Sequence, residues 1–90
     1  MKLETVKKYL HMDEDITEDD EILQGFMAEA QRRIEVLGKV YDDTDPIMRS
    51  YVMMFCKQSY EGRMDALMTA ALQSKLDIIE LSDSYEAVSS

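Results

Sequence analysis

Tryptophan is absent from this 90-residue chain, cysteine, histidine and proline occur once each, and glycine three times. Each scarcity excludes something. The lone cysteine, Cys56, cannot close an internal disulfide, and its apolar neighbourhood reads as a reduced core position. The lone histidine, His11, has no Cys/His spacing suited to zinc and no triad motif around it. It reads as a surface residue or a charge complement at a helix C-terminus. Glycine is too sparse for a phosphate-cradling loop. Bases are also few, 10 against 19 acids, for a net charge of −9. No basic stripe is visible, so free nucleic-acid binding is not expected. No apolar run approaches the roughly 20 residues that span a bilayer. Met1-Lys2 is not followed by an apolar stretch of signal-peptide type, so the expectation is a soluble intracellular chain. No catalytic set, cofactor site or metal site emerges, and the chain is not expected to be an enzyme.

What is present favours helix. Met, Leu, Ala, Glu, Asp and Lys dominate. Leu3, Val6 and Leu10 share one face of a short helix over 2–10, with Lys2, Lys7 and Lys8 off that face. A long helix follows over 18–37. Ile22, Leu23, Phe26, Met27, Ala30, Ile34 and Leu37 make its apolar stripe, and Gly38 ends it. Asp45-Pro46 is a cap followed by a first-turn proline, so a third helix runs over 46–60. Its segment Tyr51 to Cys56 has no polar residue. A helix apolar all round must be covered all round. Gly62 interrupts the path, and a fourth helix is expected over 64–81, with rows at Met64, Met68, Leu72, Leu76 and at Leu67, Ala71, Ile78. The expected fold is therefore all-α: a small bundle of about four helices with a central apolar third helix. Residues 1–81 form its single domain, and 82–90 read as a polar, frayed tail. Phe26, Ala30, Ile34, Val52 and Phe55 are expected to meet in one core cluster.

Residues 13–21 hold seven carboxylates and no base. A calcium loop fails there: the sixth position is Glu18 in place of glycine, and the twelfth is Gln24 in place of glutamate. Helix-start chemistry is the simpler reading, with Thr17 as cap and acids at 18–21 facing the positive end of the helix dipole. A partner-facing or channel-facing patch of Asp13, Glu14, Asp15 and Asp19 is the functional alternative. The eight methionines read first as core filler. Met53 and Met54 flank the main face of the third helix and also suit an adaptable protein-binding surface. Helices three and four carry more apolar surface than so small a chain can bury, and Met53, Tyr60, Met68 and Leu72 are candidate subunit contacts.

Taken in order, several pieces resemble the small head–tail connector, or adaptor, proteins of long-tailed bacteriophages. They are Val6-Lys7-Lys8-Tyr9-Leu10, Asp19-Asp20-Glu21-Ile22-Leu23, Ala28 through Ile34 with Gly38, Asp45-Pro46, and Tyr60-Glu61-Gly62-Arg63. The likeness covers roughly residues 3–63; beyond Arg63 helical pattern resumes at once, where the family has a loop and a short terminal helix. The resemblance implies a non-enzymatic virion component, present in the host cytoplasm during assembly. Such proteins form a ring of copies beneath the portal protein. The ring extends the DNA channel and docks a tail-completion protein, and DNA passes through without specific binding. Two other classes fit the composition. One is a small acidic regulatory protein, such as a DNA-mimic inhibitor acting on a host or phage protein. The other is a helical subunit of an unrelated assembly.

Overall fold

The computed structural model describes residues 1–62 and 65–89, with 82–89 as helical backbone alone. Four helices follow one another: α1 (Leu3–Tyr9), α2 (Asp20–Val36), α3 (Pro46–Glu61) and α4 (Ala66–Ser89). There is no strand among the described residues. The chain is an all-α bundle, and α3 packs against each of the other three helices.

The start of α3 follows directly from sequence. The Asp45 carboxylate accepts from the backbone N–H of Ile47 at 2.8 Å and of Met48 at 3.2 Å, and Pro46 opens the helix. Two otherwise unpaired N–H groups are thereby satisfied. Gly62 ends the helix in the left-handed region at φ 69°, a conformation that glycine adopts without a Cβ penalty. The end of α1 is less ordinary. His11 stands at φ 60°, donating its N–H to the Lys8 carbonyl, while Met12 donates to the Lys7 carbonyl at 2.8 Å. This is a Schellman turn with histidine in the position glycine usually fills. His11 is therefore part of the chain reversal as well as exposed.

The core runs through all four helices. Val6 comes from α1; Leu23, Met27, Ala30 and Ile34 from α2; Met48, Tyr51, Val52, Phe55 and Cys56 from α3; Leu72, Leu76 and Ile79 from α4. Four of the five residues expected to form the core cluster, Ala30, Ile34, Val52 and Phe55, are in it, and Phe26 packs against it half-buried. Tyr51, Phe55, Val52 and Cys56 fall within an arc of roughly 140° on α3, so one broad face of the helix is buried while Met53 and Met54 outside it are half-buried. The Tyr51 and Phe55 rings lie 6.0 Å apart, within the range of favourable aromatic pairs.

Several expectations need correction. α2 begins at Asp20, and Thr17 does not cap it; the residue before the helix, Asp19, makes no side-chain capping bond. Ile22 was placed on the buried stripe but is 53 % exposed. α4 does not stop at Leu81; its backbone continues to Ser89 through the segment expected to fray. Residues 82–89 contain neither glycine nor proline, so nothing in them forces a stop. Arg63 and Met64 lie outside the described residues.

Burial of Cys56 pushes its thiol up from an ordinary 9.0 to about 12. A thiol raised in the folded state binds its proton more tightly there than in the unfolded chain. Its contribution to stability is present below pH 9 and is lost as pH rises toward 12. In native buffer at pH 8, a thiol reagent should leave Cys56 unmodified, and denaturant should release a single reactive thiol. Fast labelling of the native protein would show that α3 is not covered on that side. Phe55, only 5 % exposed, supplies a second check: Phe55→Ala should cost about 3–5 kcal/mol in denaturant unfolding.

Candidate functional surfaces

Lys7 organises the acidic segment. It lies in the last turn of α1 and is only 3 % exposed. Its ammonium donates to the Glu14 carbonyl at 3.1 Å, to the Ile16 carbonyl, and to the Asp20 carboxylate at 2.9 Å. An ammonium has three protons, so its donors are all used. Asp20 sits in the first turn of α2, where the helix dipole also favours a carboxylate. Because Lys7 holds both Ile16 and Asp20, the chain between them bends into a turn, closed by Asp20 N–H to the Thr17 carbonyl at 3.2 Å. That turn explains the late start of α2. The sequence reading set Lys7 off the apolar face and missed this role. The signal available was the Lys7-Lys8 pair shortly before a run of seven acids that holds no base of its own.

The proposed acidic patch divides in two. Asp13, Glu14 and Asp15 are exposed, with Asp15 N–H bonded to the Asp13 carboxylate at 3.1 Å. Asp19 is half-buried and accepts a hydrogen bond from the Tyr60 hydroxyl. That bond ties the end of α3 to the start of α2. It also raises the Tyr60 hydroxyl above the usual phenol value, since a neighbouring carboxylate disfavours a phenolate. Asp19 is thus a structural tether, and the exposed part of the patch is Asp13 to Asp15.

The candidate contact residues also separate. Leu72 is 6 % exposed and belongs to the internal core. Met53 and Met68 are half-buried. Tyr60 is 37 % exposed, its hydroxyl committed to Asp19. The more exposed apolar side chains on α4 are others: Leu67 at 77 %, Ile78 at 44 % and Leu81 at 67 %. Leu67 and Ile78 were read from the sequence as one row of α4 and assigned to no surface.

A cleft of about 190 Å³ opens between α2, α3 and α4, lined by Arg33, Tyr51, Phe55 and α4 residues that include Leu72 and Leu76. The Arg33 guanidinium lies 5.1 Å over the Phe55 ring and pairs with Glu29 at 3.2 Å. A cation stacked on an aromatic face is favourable. Burial raises the Tyr51 hydroxyl, and nearby Arg33 opposes that rise. The cleft has a base and two rings but no nucleophile–base pair.

The 39–45 loop is held by its own acids. Asp42 accepts from Thr44 through both N–H at 2.9 Å and Oγ1 at 2.6 Å, and those bonds lower its carboxyl below the usual value. Among the described residues, no group of three or more His, Cys, Asp or Glu is placed to hold a metal ion. Among them too, no helix is long and apolar enough to cross a membrane. Compared with protein families, characterised proteins and solved structures, the chain matches none.

The Lys7 arrangement makes a sharp prediction. Lys7→Met removes the cation and leaves two carbonyls and a carboxylate without their donor. The expected loss is about 3 kcal/mol. Asp20→Asn keeps the carbonyl bonds and should cost clearly less. Equal losses in urea unfolding would mean that the ion pair, and not the carbonyl set, carries the effect.

Proposed function

We propose that this chain is a structural subunit of a multi-copy assembly, and specifically a head–tail connector of a long-tailed bacteriophage. The observation that carries the assembly reading is the apolar surface left after the helices have packed. Leu67, Ile78 and Leu81 remain exposed along one helix while Leu72, Leu76 and Ile79 of the same helix are buried. Exposed apolar side chains aligned on one element mark an interaction site. The connector reading adds the order of sequence pieces through Arg63, from the Val6–Leu10 segment to Asp45-Pro46 and Tyr60-Glu61-Gly62-Arg63.

In this reading copies form a ring beneath the portal, continue the DNA channel and receive a tail-completion protein. The exposed carboxylates of Asp13, Glu14 and Asp15 suit a channel wall. Like charge removes the phosphate contacts that would hold DNA in place. The ring belongs to the virion and acts without catalysis. A DNA-mimic inhibitor is less well supported. Its acids would run along one face, whereas here many gather in the 13–21 turn and the 42–45 loop.

The test uses the purified chain with a purified portal ring of the same phage. Co-sedimentation and electron microscopy should show a ring of copies seated on one end of the portal. A chain that leaves the portal bare at every concentration, while binding a DNA-processing enzyme, would replace this reading with the inhibitor.

A further inference from the structure

α4 is apolar on two flanks. Its inner residues Leu72, Leu76 and Ile79 close the core against α3. Away from them lie Leu67, Ala71, Ser74, Ile78 and Leu81, spaced four, three, four and three apart. That alternation is the spacing of a knobs-into-holes seam. It continues in the sequence at Tyr85 and Val88. None of the five carries a charge, in a chain whose net charge is −9. Leu67, Ser74, Ile78 and Leu81 are exposed, Ala71 half so.

The cleft beside α4 is the complement. Thr69, Leu72, Gln73 and Leu76 form its α4 wall, and Tyr51 and Phe55 lie on α3. At about 100° per residue, this wall and the seam lie on roughly opposite flanks of α4. A molecule cannot seat its own seam in its own cleft. Two copies related by rotation can, with the seam of one in the cleft of the next.

We infer that the outer seam of α4 docks into the Arg33–Tyr51–Phe55 cleft of a second copy of this chain, head to tail. The inference rests on the reading of the chain as an assembling subunit and names the surfaces that would join. Charge supports this occupant. The seam itself carries no charge, with one acid, Asp77, and one base, Lys75, at its two edges, and the base at the cleft, Arg33, is paired with Glu29. Two copies with 19 acids each repel over most of their surface, and at this contact an uncharged strip meets a cleft whose base and acid are matched. Each copy keeps one free seam and one free cleft after pairing. The contact is therefore heterologous and generates a ring where the rotation closes.

Two kinds of variant separate this arrangement from any other. Leu67→Glu with Leu81→Glu charges the seam at strongly exposed positions. Ser74→Arg, at an exposed polar position within it, leaves the fold least in question. Thr69→Glu charges the cleft wall at an exposed site and leaves the Gln73 amide on Asp77 intact. Circular dichroism establishes that each is folded, and analytical ultracentrifugation across concentration reads association. Wild type should associate beyond the dimer. Each variant alone should lose at least about tenfold in association constant, which is about 1.4 kcal/mol. An equal mixture of seam and cleft variants retains one good seam and one good cleft. It should form a dimer and stop there.

A wild type that stays monomeric throughout overturns the inference. So does a cleft variant that associates like wild type, because the seams would then pair with each other. A mixture that stays monomeric, or a Ser74→Arg variant with undiminished association, also overturns it. Portal binding is scored separately. Head-to-tail association without portal binding leaves the inference standing and removes the connector reading. Portal binding by a wild type that does not self-associate head to tail does the opposite.

Discussion

α3 presents one broad apolar face that must be covered, and the rest of the molecule is arranged around that need. Tyr51, Phe55, Val52 and Cys56 span an arc of roughly 140° on the helix and are at most 5 % exposed. α2, α4 and short α1, which contributes Val6, pack against α3, while Met53 and Met54 outside the arc stay half-buried. Burying each large apolar side chain stabilises the fold by about 1.5–3 kcal/mol. A single such residue left facing water is a large loss for a domain of this size.

α1 is too short to be stable by itself; isolated helices under about 12 residues are marginal in water. Two devices hold it. The Schellman turn at Leu10–Met12 reverses the chain, and Lys7 reaches across the reversal to the acidic segment. A buried ammonium is costly unless its donors are met, and here three acceptors meet them. The acids at 13–21 therefore do two things. Asp20 and the carbonyls of Glu14 and Ile16 serve the fold through Lys7, while the carboxylates of Asp13, Glu14 and Asp15 face solvent.

The fold was legible where one local rule decided the outcome. Asp45-Pro46 could only open a helix, and a polar-free Tyr51–Cys56 could only be central. The α2 stripe was legible from Leu23 to Ile34 because four buried positions recur at helical spacing. Reading failed where a long-range contact outweighed local preference. Thr17 is a good cap by type, but Lys7, ten residues earlier, bends the chain past it. Ile22 stands about 100° round the helix from Leu23, outside the narrow arc of Leu23, Met27, Ala30 and Ile34 that the fold buries. Of the candidate contacts, Leu72 shares the apolar character of Leu67; only the position of α3 decides which of the two is inside. Periodicity shows that α4 has two apolar faces and cannot say which one the fold uses.

That last ambiguity bears on function. A helix with one apolar face is finished once the monomer folds, whereas α4 keeps a second set of large apolar side chains in water. Random exposure of single hydrophobic residues is ordinary; regular spacing over fifteen positions, from Leu67 to Leu81, is not expected from it. A second face could stabilise the monomer only if another element of the chain lay over it, and α3 lies over the first. The exposed parts of Leu67, Ile78 and Leu81 therefore add no burial to the isolated fold and raise the risk of nonspecific association, which a net charge of −9 opposes. Charge that keeps copies apart, combined with an uncharged strip where they can meet, is the physical setting that the proposed head-to-tail contact requires: repulsion over most of the acidic surface disfavours other pairings, and the strip on one flank of α4 leaves the cleft on the opposite flank open.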